Sequence, residues 1–275
     1  MLSAGDSQRV AELMRETAAA ELLPRFRNLA EGEIREKRPG DLVTVADVAS
    51  EQRLAIGLAK ILPGVPIVGE EEVEKDPGLV DLIARPGERC WVVDPLDGTA
   101  NFSKGRDVFA MIVCLIDDRR TVGGWILDVP NDRMAVALTG QGVTIDGTAI
   151  GSQPAKRRPK GLIGWSVRKV LDKQLAPEQR RRLGSLTSLD CAGREYIEML
   201  SGTYDFNLYR RTKPWDHAAG ALMLVEAGGQ ALRFNGDPYR PEGPLEGGII
   251  SSLSDEVVAT AREVLERVEL PLLRR

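Results

Sequence analysis

The chain has 275 residues, 43% apolar and 28% charged, enough to bury a sizeable core in one large domain or two closely packed halves. Its 37 Lys and Arg against 41 Asp and Glu leave a net charge of −4, which gives no electrostatic case for a nucleic-acid partner. No apolar run approaches a membrane span, and the start Met1 to Asp6 lacks the basic and apolar regions of a secretory signal, so a cytoplasmic protein without a membrane partner is expected.

From Asp6 to Asn28 the apolar positions Val10, Leu13, Met14 and Leu22 recur at near-helical spacing, with Pro24 kinking or ending the helix. Glu33 to Gly40 reads as a charged connection. A second helix spans roughly Asp47 to Leu62, stopped by Pro63-Gly64, and places Asp47 and Glu51 one turn apart on one face. Alone, Asp47 reads as a helix-start acid favoured by the dipole. A short strand, Pro66 to Val68, then delivers Gly69-Glu70-Glu71-Glu72 at its tip. Three adjacent glutamates are usually a solvated turn.

The stretch Cys90 to Phe102 organises the chain. The apolar run Trp91 to Val93 reads as a buried strand that ends at Asp94-Pro95-Leu96-Asp97-Gly98-Thr99. Two carboxylates released at a strand tip suit a hard cation such as Mg²⁺, which takes oxygen ligands in near-octahedral array. The Leu96 carbonyl lies between the acids as a third oxygen. Gly98 allows backbone N–H groups close to an anion, and Thr99 adds a hydroxyl for a water. The plainer reading is a turn after a strand. A second strand tip could pool Glu70 with Asp94 and Asp97 around metal.

Phe109 to Ile116 and Thr121 to Leu127 read as an antiparallel hairpin, followed by Met134 to Leu138 and a further hairpin turning at Asp146-Gly147. The first half, residues 1–150, is thus α+β with a mainly antiparallel sheet. Polar, Pro-containing Gly151 to Lys160 marks the expected boundary. Residues 151–275 alternate as α/β: strand 162–167, helices 177–186 and 193–201, strand 204–208, helix 215–228, strands near Ala231 and Ile249, and a helix 255–269 capped by Ser254. Asp216, at the start of its helix, either complements the dipole or supplies a metal ligand from the second half. Its neighbour His217 is the single histidine and reads as a helix-start residue rather than a ligand. Cys90, Cys114 and Cys191 are odd in number and far apart, which fits reduced core thiols and not a zinc site.

Together, Asp41-Leu42-Val43-Thr44-x-x-Asp47, Gly69-Glu70-Glu71, Trp91 to Phe102, and Pro214-Trp215-Asp216-x-Ala218-Ala219-Gly220 with Glu226 to Gly229 resemble the inositol monophosphatase family of lithium-sensitive, Mg²⁺-dependent phosphatases. The likeness covers nearly the whole chain. It implies a five-layered αβαβα sandwich of the inositol monophosphatase/fructose-1,6-bisphosphatase type and a homodimer. It implies Glu70, Asp94 and the Leu96 carbonyl as ligands of one Mg²⁺, and Asp94, Asp97 and Asp216 as ligands of a second. Glu70 would help hold a third ion through water. Thr99 and Asp47 match the pair that orients the attacking water, with Glu70 in the catalytic set, and Gly98 and Thr99 match the phosphate cradle. Asp97 and Ala192 would border the substrate. Metal-activated water needs no histidine, which suits this chain.

Substrate choice departs from the pattern. The family's inositol-binding Glu, seven residues before the Trp-Asp aspartate, is here Tyr209, followed by Arg210-Arg211. Arg194, Arg210 or Arg211 could hold a second anionic group, or be surface or dimer-interface residues. The expected activity is hydrolysis of a small polyol or sugar phosphate monoester. Histidinol phosphate and fructose 1,6-bisphosphate are rival substrates, and a regulatory binding protein of the same fold is the rival class.

Overall fold

A computed structural model describes residues 2–30, 32–154 and 156–266. Helix α1 (Ala4–Thr17) opens with Ser3 and Asp6 in a capping box and runs into a π-helical turn, Ala18–Leu22, before Pro24. The hairpin β1 (Ile34–Arg38) and β2 (Asp41–Thr44) leads into α2 (Val45–Ile61), β3 (Ile67–Gly69), α3 (Glu70–Lys75) and α4 (Asp81–Ala84). Then come β4 (Arg89–Asp97), α5 (Thr99–Ser103), β5 (Ala110–Asp117), β6 (Arg120–Asp128), β7 (Arg133–Leu138), β8 (Val143–Ile145) and β9 (Thr148–Ile150). The remainder is β10 (Gly161–Ile163), α6 (Trp165–Gln174), α7 (Pro177–Arg182), β11 (Leu186–Thr187), α8 (Ala192–Leu200), β12 (Phe206–Tyr209), α9 (Pro214–Glu226), β13 (Gln230–Leu232), β14 (Ile249–Ser252) and α10 (Asp255–Glu266).

Strands β3 to β9 form a seven-stranded sheet in chain order, with β3 parallel to β4 and the rest antiparallel. A five-stranded mixed sheet has the order β11-β10-β12-β14-β13. The alternation of side chains along a strand divides the core into layers. Trp91, Val93, Met111, Val113 and Trp125 face Val10, Met14, Leu54 and Leu58 of α1 and α2. From the opposite face, Val92, Ile112, Cys114 and Ile126 pack on Ile197, Met199, Ala218 and Met223 of α8 and α9. The outer face of the second sheet, with Ile163, Phe206, Leu208 and Ile250, packs on Val167, Leu171, Val257 and Ala261 of α6 and α10. Reading through these contacts gives α, β, α, β, α, the expected five-layered sandwich. The central helices sit tight on the first sheet: a Cβ on Gly124 would lie 3.0 Å from Ala219 Cα.

Three segments differ from the sequence expectation. Glu33 to Gly40 is not a plain connection, because Ile34–Arg38 pairs with Asp41–Thr44. Its side chains are mostly exposed and charged, so backbone pairing makes this hairpin without an apolar alternation to announce it. The strand expected over 162–167 stops at Ile163, and Val167 and Leu171 instead form the inner face of α6. The expected helix 177–186 ends at Arg182, leaving Leu186 to pair with Gly161. For the last helix, residues 267–269 of the expected 255–269 lie outside the described residues.

Candidate active site

The parallel register of β3 and β4 sets Gly69 opposite Val93. β3 ends there, and the first residue beyond it, Glu70, comes level with Asp94 of β4, the last residue before the pairing of β4 with β5 turns irregular. The β4–β5 ladder is irregular between Asp94 and Asp97, where Pro95 withholds a donor. Asp94 Oδ1 closes the turn by accepting the Leu96 N–H at 3.0 Å. Gly98 takes a left-handed conformation (φ 88) in which a Cβ would meet the Val108 carbonyl oxygen at 2.9 Å. Thr99 then begins α5, whose opening N–H groups have no intrahelical acceptor. Asn101 Nδ2 ties this turn to the carbonyls of Leu189 and Asp190 across the cleft.

A cavity of about 190 Å³ opens over these residues, lined by Glu70, Asp94, Leu96, Asp97, Gly98 and Thr99 from the first half and by Asp190, Lys213 and Asp216 from the second. Asp41 from the β1–β2 hairpin joins them. The carboxylates are held apart. Asp97 Oδ2 accepts the Gly193 N–H at 2.6 Å at the start of α8 and faces Cys191 Sγ at 3.2 Å. Glu70 Oε1 accepts from Lys213 Nζ at 3.1 Å.

Burial pushes Asp94, Asp97 and Asp216 above the usual carboxylate range. It raises Asp94 well above that range, with the charges of Glu70, Asp97 and Asp216 adding to the effect. Asp97 is raised to about 6 by burial, against hydrogen bonds from Gly193 and Cys191. Asp216 is raised to about 8, again by burial first, with Lys213 opposing and Glu70 and Asp97 adding. Such a cluster is short of positive charge. Its donors are all hard oxygens, which fits Mg²⁺ better than a softer ion. As the side chains stand, no three acidic, His or Cys groups among the described residues close on one point. The Gly193 N–H holds an Asp97 oxygen that a cation would reclaim.

Next to the acids, Thr99 Oγ1 lies 2.9 Å from Asp47 Oδ1 and 2.9 Å from the Leu96 carbonyl. Asp47 is the N3 residue of the α2 capping box, accepting from the Thr44 N–H at 2.8 Å and its hydroxyl at 2.6 Å. Burial raises its carboxyl to about 7 against those hydrogen bonds. Glu51, one turn on, caps α3 by accepting the Glu71 and Glu72 N–H groups.

The substrate-side residues divide. Ala192 is buried at the start of α8, beside the Gly193 N–H that binds Asp97. Tyr209 does not present its hydroxyl to the cleft; it donates to Glu195, a fully buried carboxyl that also accepts the Leu189 N–H. The Tyr209 ring stands edge-on to His217 at 4.6 Å. Arg194 corrects the sequence expectation. Its guanidinium faces the sheet, 2.8 Å from the fully buried Asp128 and 2.9 Å from Glu198, because the helical repeat of α8 turns residue 194 away from the face that carries Ala192 and Glu195. Arg210 and Arg211 lie about the exposed Glu246, at 3.9 and 4.0 Å. His217 is buried between the Tyr196 hydroxyl and the Arg211 carbonyl, with burial lowering its pKa to about 3. All three cysteines are free and buried.

Sequence reasoning missed Lys213, Asp190 and the Glu195–Tyr209 pair. Lys213 carried one signal, a cation at a helix start next to an acid. Glu195 carried none, since a Glu in a helix is ordinarily exposed.

The match to the inositol monophosphatase family model spans residues 7–267. An inositol-1-monophosphatase, SuhB, of Mycobacterium tuberculosis is 33% identical over 221 residues, covering 74% of this chain and 72% of that protein. A Nus factor SuhB of Pseudomonas aeruginosa is 29% identical, covering 74% and 76%. Among solved structures, an IMPase of Thermotoga maritima superposes with a TM-score of 0.77 at 23% identity, over 93% of this chain and 96% of that one. With its layered sandwich and its acid-lined cleft, the chain belongs to the inositol monophosphatase family, metal-dependent enzymes that hydrolyse phosphoric monoesters.

Proposed function

We propose that this enzyme is a Mg²⁺-dependent phosphatase of a small polyol or sugar phosphate, an inositol monophosphate-like ester, working as a homodimer. The observation that carries the reading is the convergence of Glu70, Asp94, Asp97 and Asp216 from separate segments on one cleft, with the Thr99–Asp47 pair beside them. Glu70, Asp94 and the Leu96 carbonyl would hold one ion, and Asp94, Asp97 and Asp216 another. When bound, Mg²⁺ would neutralise charge on the phosphoryl oxygens and leaving alkoxide and lower the pKa of water.

The chain's own groups do the rest. Thr99 and Asp47 orient the attacking water, and Asp47, buried and raised towards neutrality, takes a proton through the Thr99 hydroxyl. The N–H groups of Gly98 and Thr99 receive phosphoryl oxygens at the left-handed turn. Asp97, Asp190 and Ala192 border the side open to the leaving group. Residues 1–150 supply most of these acids and residues 151–275 supply Asp216 and Lys213, so turnover needs both halves. With Tyr209 engaged by Glu195 and Arg194 by Asp128, neither of these two side chains is offered to a second anionic group. That favours a monophosphate over a bisphosphate.

The test is phosphate release, with and without Mg²⁺, from inositol 1-phosphate, histidinol phosphate, fructose 1,6-bisphosphate and glycerol 2-phosphate. Mg²⁺-dependent turnover of a monophosphate, lost in Asp94→Asn, is the expected result. Turnover without divalent ions, or full activity in Asp94→Asn, would overturn the reading.

A further inference from the structure

The hydrolytic scheme gives Lys213, a lining residue of the cleft, no chemical step. It stands at the N-cap of α9, immediately before Pro214 and Trp215. A cation there opposes the helix dipole. The Trp215 ring lies under its ammonium at 5.4 Å, and Nζ reaches Glu70 Oε1 at 3.1 Å. The same oxygen has a second ammonium nearby. Lys37 Nζ, from the β1–β2 hairpin, is 4.0 Å from Glu70 Oε1 and 2.6 Å from Glu71 Oε1. Both lysine side chains are largely withdrawn from solvent, Lys37 at 8% exposure and Lys213 at 28%.

We propose that Lys213 is a resident cation of the site: its ammonium takes the place beside Glu70 that a third, water-held divalent ion would need, so the chain admits two such ions and not three. This rests on the metal-dependent reading above and concerns only how many ions the site accepts. One Glu70 oxygen is committed to ammonium groups, which leaves the other for a single metal. A further divalent ion on the hairpin side would sit against two fixed positive charges at short range, where screening by solvent is weakest. The Lys213 charge also acts on Asp216, Glu70 and Asp41 together, so it balances the outer acids of the cleft without occupying the Asp94–Asp97 turn. Pro214 fixes the backbone next to it, which keeps the ammonium and the Asp216 carboxylate in register from one helix start.

The experiment is a Mn²⁺ titration of the metal-free full-length chain, with free ion read by electron paramagnetic resonance. Mn²⁺ shares the oxygen preference of Mg²⁺, and the readout is independent of turnover. The native chain should bind about two ions. Lys213→Met, with folding checked by near-ultraviolet circular dichroism, should gain a third, weaker site. Lys213→Arg, which keeps the charge, should return the count to two. Lys213→Gln serves as a second uncharged variant, keeping a polar head. Three ions on the native chain would overturn the proposal while leaving the phosphatase reading intact. Two ions on folded Met or Gln variants would overturn the part given to Lys213. No Mn²⁺ binding by the native chain would remove the metal-dependent reading itself, so the two failures are distinguishable.

Discussion

The Thr99 hydroxyl stands 2.9 Å from Asp47 Oδ1 and, with its one proton, equally close to the Leu96 carbonyl oxygen. A single O–H cannot serve both acceptors, so the state of Asp47 selects the pattern. With Asp47 protonated, the carboxyl donates to Thr99 and Thr99 donates to Leu96. With Asp47 ionised, Thr99 turns its proton to the carboxylate. Asp47 belongs to the first half's helix α2 and Thr99 to the turn after β4, 52 residues apart in the chain.

Removing either partner should be felt in rate. Asp47→Asn and Thr99→Val are each expected to lower kcat by about 10²- to 10⁴-fold, the range for a positioned proton-transfer group. KM should change little. Steady-state kinetics on the preferred ester decides it; a KM effect with kcat preserved would place the pair in substrate binding.

Metal-free protein should lose stability as pH rises. Asp47, Asp97 and Asp216 have folded-state pKa values raised to about 7, 6 and 8, above the ordinary aspartate value of 3.8 that holds in the unfolded chain. Between the unfolded and folded values the native state holds more protons, so stability falls with rising pH across that window. Melting in chelator should therefore drop from about pH 5 to pH 8, and Mg²⁺ added at the upper end should restore it by mass action. A flat profile in chelator would contradict the repulsion among these acids.

Asp216→Asn separates stability from activity. Above about pH 8, where Asp216 is ionised against the opposing pull of Lys213, it removes a charge that burial and the neighbouring acids disfavour, so the metal-free melting temperature should rise. The gain is about 2–4 °C for each kcal/mol of repulsion relieved in a chain of this size. Turnover should fall sharply with a metal ligand lost. Scanning calorimetry in chelator and a phosphate assay in Mg²⁺ give the two readings.

Gly98→Ala should be costly in both respects. The positive φ of 88 disfavours any Cβ by about 1–2 kcal/mol, and the close approach of the Val108 carbonyl adds to it. Urea unfolding should show the loss, and phosphate release should fall because the opening N–H groups of α5 shift.

Arg194→Met tests the placement of that side chain beneath the sheet. It leaves Asp128 buried with Asn131 as its remaining side-chain hydrogen-bond donor, at an expected cost of about 2–3 kcal/mol. KM should be unchanged. An altered KM with unchanged stability would return Arg194 to the substrate pocket.

Much of this protein is written locally. The apolar run Trp91 to Val93 followed by acid, Pro and Gly is a strand and a sharp turn by composition alone, and the capping box of Thr44 and Asp47 fixes the start of α2. The acids at Glu70, Asp97 and Asp216 were legible because each ends a strand or begins a helix, and Asp94 because it closes an apolar run before Pro95. Less legible was the direction of side chains on helices whose two faces are both covered. Arg194 looked available to an anion because it lies close after Ala192, which was expected to border the substrate. A rotation along α8 turns it to Asp128 instead. The β1–β2 hairpin was missed because its strands carry almost no buried apolar side chains.

Sequence by itself determined the elements, the turn that frees two carboxylates, and the family to which the chain belongs, since these depend on residue types at short spacing. Only the tertiary structure decided which charges meet across the cleft. Lys213 lies 143 residues from Glu70, and Tyr209 meets Glu195 from another element. Such contacts are set by the register of β3 on β4 and by the seating of α8 and α9 between two sheets, that is, by packing of distant segments, which no local pattern of residues encodes.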